Sequence, residues 1–124
     1  MRYLILIHLN EKELWAMSEA DMSALNARHL EFNSRLRKSG HWIEAEALEP
    51  GNSSKRVRVR KGKPSITDGP FAESKELVAG FYLIEARDMK EATRIASEIP
   101  SAPLGTIEVW PTRKLVVDGV ARDA

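Results

Sequence analysis

An aspartate, a glycine and a proline, Asp68-Gly69-Pro70, separate two apolar segments within the stretch TDGPFAESKE, residues 67–76, and three histidines, His8, His29 and His41, lie scattered through the rest of the chain. A carboxylate beside an imidazole is the smallest set of groups that moves a proton at neutral pH. Gly69 permits a positive φ and Pro70 fixes the exit direction, so Asp68 would be held with little entropy left to lose on binding a ligand. The same steps, D-G and G-P, are ordinary turn chemistry, and both readings stay open. His8 closes the first apolar segment on the face of Leu4 and Leu6, opposite Tyr3, Ile5 and Ile7. Facing a cleft it would act as a base oriented by Asp68; facing water it is a strand-end histidine. His29 stands on an apolar helical stripe, as a core or cleft-wall histidine or as the catalytic one. His41 follows Gly40 directly, near a helix C-terminus where positive charge is favoured.

Other side chains bear on the same question. Glu44 and Glu46 share a face with Trp42; they form an acid and base pair if desolvation separates their pKa values, or neutralise Arg56, Arg58 and Arg60 on a neighbouring hairpin at about 0.2–1 kcal/mol per pair. The second reading comes first for such a row. Arg58 or Arg60 would receive a substrate's negative charge, with Tyr82 and Phe81 as walls. Glu73, Lys75 and Glu76 read as a solvated helical turn. The histidines have no metal-binding spacing and the chain has no cysteine, so no metal is expected. Phosphate loops, nucleophile elbows and dinucleotide fingerprints are also missing, so no cofactor is expected.

The elements that must position these residues follow from periodicity. Residues 2–9, RYLILIHL, are apolar on both faces and read as a strand covered on each side. Ser18, with Asp21 three residues on, caps a helix whose stripe Met22, Leu25, His29, Phe32 and Leu36 ends at Gly40. Residues 41–48 alternate as a second strand, with Ile43, Ala45 and Ala47 opposite Trp42, Glu44 and Glu46. Residues 55–67 form a hairpin turning at Lys61-Gly62, with a basic face. Residues 78–86 are another two-faced strand, 88–100 a helix capped by Asp88 and stopped by Pro100, 106–111 a strand, and 114–119 a possible additional one.

This order contains the split βαβ arrangement of an α+β, ferredoxin-like domain with an inserted hairpin. Its two helices cover one face of the sheet, yet the first and fourth strands are apolar on both, so the second face is expected to pair with another copy in a homodimer. At 124 residues one domain is the default. A net charge of +1 supplies no field for nucleic acid, and the basic hairpin lacks interleaved aromatics or a recognition helix, so nucleic acid is not the expected partner. The opening apolar run breaks at His8 and no segment approaches a membrane span, which together with the absence of cysteine suggests a cytoplasmic protein.

DGPFAESKE, followed by VAGFYLIEA, EATRIASEIP and IEVWP, resembles the YCII-related family, in particular its DGPF-motif branch, over about residues 1–111. The resemblance implies a dimeric α+β barrel of ferredoxin-like subunits, in a bacterial cytosolic protein. Some relatives carry a His and Asp pair proposed as catalytic, one eliminates chloride from a chlorinated aromatic, and some homologous domains are joined to extracytoplasmic-type sigma factors. Members often read IEVRP where this chain has IEVWP, so a cation is missing at Trp110, and residues 112–124 form an extension without a counterpart. Two functions are therefore expected to compete. One is a cofactor-independent small-molecule-binding protein or enzyme of lyase or isomerase type, with Asp68 and His8 or His29 as catalytic groups and Arg58, Arg60, Tyr82, Phe81 and Glu46 around the substrate. The other is a non-catalytic dimeric module that contacts a transcriptional regulator.

Overall fold

A computed structural model describes residues 1–70 and 74–124. Strand β1 (Arg2–Asn10) runs into a short helix α1 (Glu11–Trp15), and α2 (Glu19–Ser39) leads to β2 (Trp42–Ala47). The hairpin β3 (Lys55–Arg60) and β4 (Lys63–Asp68) precedes β5 (Glu76–Glu85), α3 (Met89–Ser97) and β6 (Gly105–Pro111); β7 (Leu115–Val117) and β8 (Val120–Arg122) close the chain. Four strands form an antiparallel sheet in the order β2-β5-β1-β6, the ferredoxin-like α+β arrangement expected from the sequence.

Local signals explain the boundaries. Ser18 Oγ accepts the Asp21 N–H at 3.1 Å and the Asp88 carboxylate accepts the Glu91 N–H at 2.9 Å, each satisfying a donor that a helix start leaves orphaned. Gly40 ends α2 at φ +81°, a conformation that costs other residues a steric clash. Helix α1 is missing from the sequence reading; its signal was Asn10, whose side chain accepts the Glu13 N–H at 3.0 Å. The tail is a hairpin rather than one strand, turning at Asp118-Gly119 with both φ angles positive. Glu76 opens β5, so it does not belong to the solvated helical turn expected with Glu73, while Glu73 itself and Phe71 lie outside the described residues.

The core sits between the sheet and the helices. Tyr3, Ile5, Ile7 and Leu9 alternate inward along β1, join Tyr82 and Ile84 of β5, and meet Phe32 and Leu36 of α2 and Ala92, Ile95 and Ala96 of α3. Each fully buried isoleucine there contributes about 1.5–3 kcal/mol. The opposite face carries rows set by register: Glu44, Leu83, Leu4 and Trp110, then Glu46, Phe81, Leu6 and Glu108, then Val78, His8 and Thr106. Its aliphatic centre is only half-buried within one chain, as expected of strands that are apolar on both faces.

Two expectations about β2 and the hairpin need correction. A bulge between Trp42 and Glu44 places Trp42 opposite Ile84, so it packs on the helix side and makes an edge-to-face contact with Tyr82 at 6.3 Å, away from Glu44 and Glu46. β3 and β4 form a separate two-stranded sheet and β2 pairs with β5, so Glu44 and Glu46 do not lie across a strand pair from Arg56, Arg58 and Arg60. Strict alternation overlooked the extra residue, Ile43, and sequence order overstated strand neighbourhood.

Candidate functional site

His8 points to the open face because the residues that alternate with it, Ile7 and Leu9, are drawn into the core. Antiparallel pairing of β1 and β6 sets His8 against Thr106 and brings Glu108, one pleat along, within reach. The His8 Nε2 and the Glu108 Oε1 form a short, partly buried hydrogen bond. With the carboxylate accepting the Nε2 proton, Nδ1 is left as the nitrogen that gives or takes a proton, the arrangement of an oriented general base. β6 can come this close because residue 105 is glycine: a Cβ there would stand 2.0 Å from the His8 carbonyl oxygen.

Beside His8 opens a cavity of about 770 Å³, walled by the hairpin residues Lys55, Arg56 and Arg58, by Ser54 and Pro70, and by Val78. Backbone bonds hold this wall in place. The Gly51 N–H donates to the Glu11 carboxylate at 2.6 Å, tying a 3-10 turn at Gly51–Ser53 to the start of α1. The Gly69 N–H donates to the Ser54 carbonyl at 2.9 Å, with Gly69 at φ +91°. The D-G-P step is thus a turn that closes the cavity rim, and Pro70 contributes to the lining.

Of the remaining candidates, His29, Glu46, Phe81 and Tyr82 border a cavity of about 420 Å³ between α2 and the sheet, and Asp68 and Arg60 are not among its lining residues. Asp68 pairs with Lys55 at the base of the hairpin and its carboxylate is 79% exposed, so the expected Asp68 and histidine pair does not form within this chain: His8 bonds Glu108 and His29 bonds Tyr82. Exposed Arg60 lies near the hairpin turn, with its guanidinium on the Val59 carbonyl at 2.9 Å, while Arg58 lines the cavity. Phe81 and Tyr82 both border the cavity between α2 and the sheet, although as consecutive strand residues their side chains take opposite directions; Phe81 shares the open face with Glu46. His41 Nδ1–H donates to the Glu85 carbonyl at 2.7 Å beside the end of α2.

His29 belongs to a second polar group on the helix side. Tyr82 donates its hydroxyl proton to Asn33 Oδ1 at 2.5 Å, and His29 Nδ1 lies 3.0 Å from the same hydroxyl. Burial pushes the Tyr82 pKa up to about 12. Burial, assisted by the Arg28 charge, holds His29 below the usual histidine range. Glu108 and Glu11 are the residues that sequence reasoning missed. Glu108 could have been found by pairing TIEVW with the first strand in register; Glu11 gives no local sign, since its partner is forty residues away. Among the described residues no group of three or more His, Asp or Glu side chains is disposed to hold a metal ion.

A family model described as YCII-related domain matches residues 1–115. The chain is 30% identical over 120 residues to an uncharacterized protein of Rhizobium meliloti (strain 1021), covering 90% of this chain and 91% of that one. Its fold is similar to that of 5-chloro-2-hydroxyhydroquinone dehydrochlorinase from Burkholderia phenoliruptrix AC1100, solved in complex with 2,5-dihydroxybenzoquinone. The TM-score is 0.53 at 16% identity, with 92% of this chain and 95% of that one covered.

Proposed function

The chain belongs to the YCII-related family, and from that premise we propose that it is a cofactor-independent enzyme of lyase or isomerase type acting on a small anionic molecule. The observation that carries this reading is the His8 and Glu108 pair beside a cavity of about 770 Å³, in whose lining Lys55, Arg56 and Arg58 of the hairpin outnumber Glu49 and Glu76. His8 Nδ1 removes or returns the proton, Glu108 holds the ring and stabilises its cationic form, and Arg58 receives the ligand's carboxylate or phenolate. Glu108 takes the role that the sequence suggested for Asp68. A relative in fold that eliminates chloride from a chlorinated hydroquinone supports this class, since such elimination needs a base and a stabilised anion.

The open sheet face, with Leu4, Leu6, Phe81 and Leu83 half-buried in one chain, supports a face-to-face homodimer that would cover His8 and dry the cavity. A thermal-shift screen with hydroxybenzoates, lactones and chlorinated hydroquinones tests the proposal. A stabilising ligand should lose at least ten-fold in affinity in His8→Gln and Arg58→Ala, and little in Asp68→Asn. Equal shifts in wild type, His8→Gln and Arg58→Ala would remove this cavity from the chemistry.

The tail supports a second reading. Val116, Val117 and Val120 are at least half exposed on a two-stranded hairpin, a unit marginally stable alone, which suits a contact with another protein such as a transcriptional regulator. Removing residues 112–124 should then abolish that contact while leaving ligand shifts intact, whereas loss of ligand binding on truncation would assign the tail to the enzyme.

A further inference from the structure

The hairpin of β3 and β4 stands apart from the four-stranded sheet. Among the described residues its strands pair only with each other, and a two-stranded ribbon in water is marginally stable by itself. Register sets Val57 across from Ile66 and Val59 across from Pro64, so these four side chains share one face, while Arg56, Arg58 and Arg60 take the other. On the apolar face Val57 is 62% exposed, Val59 57% and Ile66 67%. No described element of the chain covers them, and a contiguous apolar face of this kind marks a contact surface.

Charge and position indicate the occupant. Residues 55–68 carry six of the chain's 19 basic residues and one of its 18 acidic ones, a net +5 in a chain whose total is +1, so the remainder carries −4. Part of that acidic remainder lies on the open face of the sheet, where exposed Glu44 and Glu46 sit in register with Leu83 and Phe81. Apolar and basic surface on the hairpin thus matches apolar and acidic surface on the sheet. The hairpin also rises at the rim of that same face, since Lys55 and Arg58 share a cavity with His8 and Val78. A second copy seated on the open face therefore meets the hairpin. Nucleic acid would engage the basic side alone and leave Val57, Val59 and Ile66 in water.

We propose that the hairpin is an arm that grips a second copy of the chain: its Val57, Val59 and Ile66 face lies against the partner, and Arg60 and Lys63 at its tip pair with Glu44 and Glu46 of the partner subunit. The long stems of Arg60 and Lys63 let their charged heads reach round the edge of a two-stranded ribbon. The inference rests on the face-to-face dimer proposed above and adds what the second copy supplies. Each arm walls the His8 cavity of its own chain through Lys55 and Arg58, so the copy that covers the arm's outer face holds that wall in place, and the site is complete only in the dimer.

Sedimentation equilibrium of the full chain over a micromolar concentration series tests the arm. The expected result is a wild-type dimer, weakened at least ten-fold when Val59→Ser and Ile66→Ser are combined, weakened similarly by Glu44→Lys with Glu46→Lys, and restored to within about three-fold of wild type when Arg60→Glu and Lys63→Glu are added to that charge reversal. Should the serine variant not fold, the charge reversal and its rescue decide alone, since all four positions are exposed. A wild type that stays monomeric overturns the arm together with the dimer. A dimer that Leu83→Glu splits, but that neither the serine variant nor the charge reversal weakens, overturns the arm and leaves the face-to-face dimer standing.

Discussion

At the scale of single residues, what a histidine can do here depends on which partner its ring finds. His8 and His29 project from opposite faces of the layered fold and have acquired different companions, a carboxylate and a phenol. The surroundings of His29 make a testable difference to stability. Its folded-state pKa lies below the ordinary histidine value of 6.5, so the unfolded chain binds a proton more readily. Stability is then fully present above about pH 6.5 and is lost as the pH falls through the folded-state value. Melting wild type and His29→Phe at pH 7.5 and 5.0 should show a larger drop in Tm for wild type, and equal drops would refute the assignment. Both histidines were legible as candidates from residue type and spacing. Glu108 was not, because its value comes from lying one pleat from His8 on a strand a hundred residues away.

At the scale of elements, close approach rather than conformational freedom explains the glycine that opens β6. Gly105 has extended backbone at φ −167°, which any residue can adopt, but a Cβ would overlap the His8 carbonyl at 2.0 Å and approach Leu9 at 2.9 Å. Gly105→Ala should therefore push β6 from β1, cost about 1–3 kcal/mol or more in urea denaturation, and weaken ligand binding at His8 by displacing Glu108. A variant of unchanged stability would show that the strands part easily. Helix ends and hairpin turns were readable because their signals are complete within a few residues, as with Ser18, Asp88 and Lys61-Gly62. The bulges at Ile43 and Ala79 left no comparable mark, and each reverses the facing of the strand residues beyond it.

At the scale of the whole molecule, the sheet has one face against helices and one face whose centre no described element covers. Leu4, Leu6 and Leu83 line its centre, with Glu44, Glu46 and Glu108 toward its edges. If a second copy covers that face, Leu83→Glu should convert a dimer to a monomer at micromolar concentration in sedimentation equilibrium, because it would bury an unpaired charge at the middle of the interface. A wild type that already sediments at 13.9 kDa would defeat that expectation. No described helix is long and apolar enough to cross a membrane.

Sequence by itself determined the α+β class, the two capped helices, the hairpin at Lys61-Gly62 and the two-faced character of β1 and β5, because caps, turns and periodicity act between residues close along the chain. Only the tertiary structure decided that Glu108 and not Asp68 meets His8, that Trp42 turns inward, and that His29 and His8 belong to separate cavities. Those outcomes rest on register and bulges between distant strands, where a shift of one residue exchanges the faces of the sheet.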